Sequence, residues 1–154
     1  MMYLGSVHQK RMAQVDCSGC TGGYNFISFG EHIYLFSQSC KGSPSFPSQV
    51  SNFATSRCDP TLVFNNVGYV LIGPLEALTD EQIQMQVQTN LFGVINVTRA
   101  FFTYFRERRS GMFINITSTF GLLGYPTCSI YNAAKFAVDG FSEGLSYEFG
   151  PIRD

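Results

Sequence analysis

The chain has 154 residues, enough for one domain, and only 14% of them are charged, well below the roughly 25% of an average domain. Its net charge of −1 gives no basis for a nucleic-acid or acidic-membrane partner, while a hydrophobic fraction of 45% can supply a core. No apolar stretch reaches the roughly 18 residues that span a bilayer, and the opening MMYLGSVHQKR has no apolar signal-peptide core, so a cytoplasmic protein without membrane partners is expected.

Residues 1–60 hold ten serines and four of the five cysteines, with apolar residues scattered at no helical or strand period. The Ser/Pro-rich stretch from Ser39 to Ser56 reads as loop. Only Phe26 to Phe36 suits a short strand or hairpin. Cys17-Ser-Gly-Cys20 has the spacing of a metal knuckle or a redox pair. A zinc site needs two more ligands, and Cys40, Cys58, His8 and His32 stand alone; a thioredoxin-type pair needs a βαβ context. No metal site is expected, and the thiols read as incidental. The segment is taken as irregular, disordered or unrelated to the rest of the chain.

From Pro60 onward the local signals agree. Thr61-Leu-Val-Phe64 is a short apolar run that ends in Asn65-Asn66-Val67-Gly68, a buried strand followed by a turn. Thr79-Asp-Glu-Gln82 has capping-box spacing. Behind it Ile83, Val87, Leu91, Val94, Ile95, Phe101, Phe102 and Phe105 recur at three and four residues, which predicts an amphipathic helix over 79–109. Arg106, Arg108 and Arg109 complement its C-terminus, and Ser110-Gly111 stops it. Met112-Phe-Ile-Asn-Ile116 is a second strand. A loop with Gly121, Gly124 and Pro126 leads to a helix over 128–149, ended by Gly150-Pro151. Strand, helix, strand, helix with a long crossover predicts an α/β fold: a partial Rossmann-like, doubly wound parallel sheet over 61–154.

Ligands of open α/β sheets bind beyond the carboxyl ends of the strands. Asn65-Asn66 and Thr117-Ser118 fall there, and the second helix opens with Tyr131-Asn-Ala-Ala-Lys135. Tyr and Lys four apart share a helix face, and an ammonium beside a phenol favours the phenolate. That suits Tyr131 to acid–base work, with Ser118 bonding the same substrate oxygen.

Together these residues resemble the catalytic half of the short-chain dehydrogenases/reductases. Asn65-Asn66-Val67-Gly68 is similar to the family's NNAG signature, Asn90 in QTNLFGV to its helix asparagine, Ser118 in INITST to its serine, and Tyr131 with Lys135 to its YxxxK motif. The spacings of 28 residues from Asn90 to Ser118 and 13 from Ser118 to Tyr131 fit as well. The resemblance implies an NAD(P)-dependent oxidoreductase acting on a small alcohol or ketone. Tyr131 would exchange the proton, and Lys135 would assist it and hold the nicotinamide ribose. Ser118 would orient the substrate oxygen, Asn90 would hold a relay water, and Asn65 would contact the adenosine side of the cofactor.

The family's Gly-rich pyrophosphate loop has no counterpart. Thr21-Gly22-Gly23 places Phe26 where the next glycine is required, and lies only 44 residues before Asn65, where the family needs about seventy. The residue that selects NAD or NADP is missing too, so the choice is undetermined. The implied outcome is a truncated oxidoreductase, weak or inactive as this chain. Its two parallel strands would have open edges, and it would self-associate or pair through helices 79–109 and 128–149. The alternative is a non-catalytic protein that packs on the helices of an intact family member.

Overall fold

The computed structural model describes residues 11–15, 24–29, 32–37 and 60–149. Cys17, Cys20, Cys40, Cys58, His8 and the Thr21-Gly22-Gly23 segment lie outside the described residues.

Five strands form one sheet in the order β1 (Arg11–Val15), β2 (Tyr24–Phe29), β3 (His32–Ser37), β4 (Leu62–Asn65) and β5 (Met112–Asn115). β1, β2 and β3 are antiparallel neighbours, with Phe26 opposite Leu35 in the hairpin expected between Phe26 and Phe36. β3 then runs parallel to β4, pairing Ile33 with Val63, and β4 runs parallel to β5, pairing Val63 with Phe113. Residues 11–15, 24–29 and 32–37 are strands within the third read as irregular. One expectation changes: the edge of β4 is not open, because β3 pairs with it. The physical reason is composition: YNFISF and HIYLFS are aromatic and β-branched, which suits a pleated surface without needing any period.

The predicted strand–helix–strand–helix order holds from residue 60 onward. The first helix runs as α1 (Asp80–Val87), a π-helical segment (Gln88–Phe92) and α2 (Gly93–Arg108). Its capping box is formed: Thr79 Oγ1 accepts from Gln82 N at 3.3 Å, and Gln82 Oε1 accepts from Thr79 N at 3.0 Å. Its end is a Schellman closure, with Ser110 N donating to Phe105 O at 3.2 Å. The left-handed residue is Arg109, at φ 52°, rather than the expected glycine.

α2 packs on β4 and β5. Val63, Phe101 and Phe105 are fully buried between them, and Phe113 of β5 meets the Phe105 ring at 5.0 Å. Burial of each such side chain contributes about 1.5–3 kcal/mol. α3 (Ser129–Phe149) lies against α1, the π segment and a 3-10 turn at Thr119–Gly121. Parallel β4 and β5 thus open their carboxyl ends toward the first turns of α3.

Candidate active site

The loop after β4 brings Gly68 and Tyr69 to Asn90. Asn90 is fully buried, and its side chain takes both backbone groups of Tyr69, accepting from N at 3.0 Å and donating to O at 2.8 Å. Asparagine is a poor mid-helix residue, and here it sits in the π segment, where the helix widens by one residue. Gln86 Nε2 reaches the same carbonyl at 3.4 Å. The π segment therefore anchors the loop after β4.

Lys135 enters the same space from α3. It is 4% exposed, and its Nζ donates to Ile116 O, just beyond β5, at 2.9 Å. Burial lowers its pKa from the usual lysine value, and the nearby Asp139 carboxylate opposes that shift. A Cβ added at Gly68 would lie 3.0 Å from Asn90 Oδ1 and 3.5 Å from Lys135 Nζ, so the glycine keeps open the space over both. Asn90 and Lys135, two of the expected residues, thus converge with Gly68 and Ile116 O.

Tyr131 is half-buried one turn before Lys135, whose Nζ stands 5.8 Å from the Tyr131 ring centre. The Phe120 ring meets Tyr131 edge-on at 5.4 Å and stacks on Tyr125 at 4.2 Å. Ser118 caps the 3-10 turn, its Oγ accepting from Phe120 N at 3.3 Å. Ser118 and Tyr131 are thus both in contact with Phe120, one through its backbone and one through its ring.

Asn65, expected on the adenosine side of a cofactor, stands at the carboxyl end of β4. It is 3% exposed, and Nδ2 donates to Asn115 Oδ1 at 2.8 Å and to Thr98 Oγ1 at 3.3 Å. Asn115 Nδ2 continues to Ser142 Oγ at 2.8 Å. This chain ties β4 to β5 and both to their helices, with the Asn65 amide donor engaged inside the fold. Its neighbour Asn66 is exposed instead. The sequence held a signal for Asn115, because asparagine is depleted in strands. A cavity of about 300 Å3 between β5 and α3 is lined by Met112, Phe113, Asn115, Ser142 and Leu145 among others, and by none of the expected site residues.

Among the described residues no group of three or more His, Cys, Asp or Glu is placed to hold a metal, and no helix is long and apolar enough to cross a membrane. Cys128 is a buried free thiol.

The sequence profile described as short chain dehydrogenase matches residues 49–153. A 3-ketodihydrosphingosine reductase of Bacteroides thetaiotaomicron is 44% identical over 92 residues, 60% of this chain and 34% of that protein. A short-chain dehydrogenase structure from Streptomyces avermitilis superposes with a TM-score of 0.65 at 32% identity, over 68% of this chain and 39% of that one. A gluconate 5-dehydrogenase from Burkholderia cenocepacia, solved with NADP and tartrate, gives 0.64 at 28% identity, over 66% and 40%. The chain spans about a third of the length of the curated relatives it matches, from 31% to 39%.

Proposed function

The chain belongs to the short-chain dehydrogenase family, and from that membership we propose that it carries the proton-transfer half of an NAD(P)-dependent carbonyl reduction or alcohol oxidation. The observation that carries this reading is the buried Lys135 ammonium, held by Ile116 O one helical turn from Tyr131, at the carboxyl ends of two parallel strands.

The residues fit the nicotinamide end of a dinucleotide. Lys135 has three donors, of which one is used on Ile116 O, and the bare Gly68 leaves room above it. Lys135 and Tyr131 would hold the ribose hydroxyls there. No described residue reproduces the Gly-rich cradle that the pyrophosphate needs at a helix N-terminus. When bound, the nicotinamide supplies the hydride.

The chain's own residues manage the oxygen and its proton. In reduction the Tyr131 hydroxyl donates its proton to the carbonyl oxygen, and in oxidation the phenolate removes it. Ser118 bonds the same oxygen and fixes its direction. The Lys135 charge stabilises the phenolate left behind, and its low exposure strengthens that attraction. Asn90 holds the loop over Lys135 and would seat the relay water.

The test is reduction of a small aldehyde or ketone at millimolar NADH or NADPH. Slow turnover that vanishes in Tyr131→Phe and Lys135→Met is the expected result. Turnover unaffected by both changes, or absent from the wild type, contradicts the reading. Cofactor binding should not saturate in the micromolar range, because no described residue forms a pyrophosphate cradle; saturable fluorescence there overturns this part.

A second reading, a non-catalytic partner for the helices of an intact family member, draws on the exposure of Phe92, Phe136 and Tyr147. Co-expression that leaves such a member's dimer unchanged would count against it.

A further inference from the structure

Asn132 follows Tyr131 at the end of the first turn of α3, a place where asparagine weakens a helix. Its side chain is 7% exposed. Nδ2 donates to Phe120 O at 2.7 Å and to Leu123 O at 2.9 Å, and Oδ1 accepts from Tyr125 N at 3.1 Å. Both donors are used. Turning the amide over would set its oxygen against two carbonyls and its NH2 against an N–H, so the three bonds fix one orientation. They hold down the loop after β5 from Phe120 to Tyr125. Two residues before Phe120 stands Ser118, whose Oγ accepts from Phe120 N. The Phe120 ring itself packs edge-on against Tyr131.

We propose that Asn132 is the positioning residue of the site: by gripping Phe120 it sets Ser118 against Tyr131. This rests on the reading that Ser118 and Tyr131 share one substrate oxygen. Asn132 acts through Phe120 and needs no contact with substrate or cofactor. An aspartate of the same shape keeps the acceptor for Tyr125 N and loses both donors, leaving a carboxylate against two carbonyl oxygens.

Amide hydrogen exchange of residues 120–125 tests the grip in the full chain, in Asn132→Ala and in Asn132→Asp, from pH 5 to 8. The 19F resonance of 3-fluorotyrosine at Tyr131, assigned through Tyr131→Phe, reports the catalytic phenol. In Asn132→Ala, exchange of the Tyr125 amide should rise roughly ten- to a hundredfold and the Tyr131 resonance should move, while amides past Val138 keep their protection. Asn132→Asp should be near wild type at low pH, where the neutral acid donates to one carbonyl. It should lose protection as pH rises and the carboxylate forms. That pH dependence also decides the matter if Asn132→Ala does not fold. Unchanged Tyr125 exchange, an unmoved Tyr131 resonance, or equal exchange in both variants at every pH overturns the proposal. These measurements need no cofactor, so a wild type without reductase activity contradicts the functional reading alone.

Discussion

Lys135 is the residue where stability and function pull against each other. Its burial lowers the folded pKa below the usual lysine value, with Asp139 opposing. The folded chain therefore binds that proton less readily than the unfolded chain does. Stability from this group is fully present above the unfolded value of about 10.4 and is lost as pH falls through the folded one. Thermal unfolding of wild type minus Lys135→Met, which cancels the tyrosines, should show that rise toward alkaline pH; a flat difference contradicts it. Two backbone positions at the end of α2 give opposite signs. Arg109 holds a left-handed conformation at φ 52°, so Arg109→Gly should stabilise by about 0.5–1 kcal/mol. At Gly111, φ 152°, a Cβ would fall 2.2 Å from Phe105 Cγ, so Gly111→Ala should destabilise by roughly 2–4 kcal/mol. Denaturant melts of the two variants check both.

At the scale of elements, the parts legible in sequence were those whose signal is local. The capping box at Thr79, the three–four spacing behind it and the two apolar strands each identify themselves within a few residues, and the structure has all of them. The YxxxK pair was legible because one helical turn necessarily brings Tyr131 and Lys135 together. What escaped was non-local. β3 pairs with β4, some thirty residues onward, and no periodicity in HIYLFS announces that partner. The inward turn of Asn65 depends on Asn115 and Thr98, 50 and 33 residues away. Asn132 is easily passed over because it stands between the two ends of YxxxK, although an asparagine at that point of a helix is itself a flag. The Asn65 chain gives a test at this scale. Asn65→Ala removes the donor that satisfies Asn115 Oδ1 and Thr98 Oγ1 and should destabilise by about 1–3 kcal/mol. Asn66→Ala, on an exposed neighbour, should be near neutral; equal effects in denaturant melts would sink the assignment.

The whole molecule presents one helix face that nothing among the described residues covers. Ala133, Phe136, Gly140, Gly144 and Tyr147 recur at three and four residues along α3, and all are exposed. A Cβ added at Gly140 or Gly144 would meet nothing within 4 Å, so these glycines serve no internal packing. Two glycines between aromatic residues make a flat, apolar stripe on which another helix can come close. The solvent gains nothing from Phe136 or Tyr147, and Gly140 and Gly144 weaken an isolated helix by about 1 kcal/mol each. A sequence that retains both features suits a surface buried in an assembly. The chain should therefore sediment as a dimer or larger species at micromolar concentration. Gly140→Lys provides the decisive comparison. It adds charge to the centre of the stripe, places its Cβ in open space, and replaces glycine with a better helix former, so it should raise intrinsic helix stability while dispersing the assembly. A wild-type monomer, or a Gly140→Lys variant that sediments unchanged, contradicts association through this face. Association lost with the helical circular dichroism signal intact identifies the stripe as the contact.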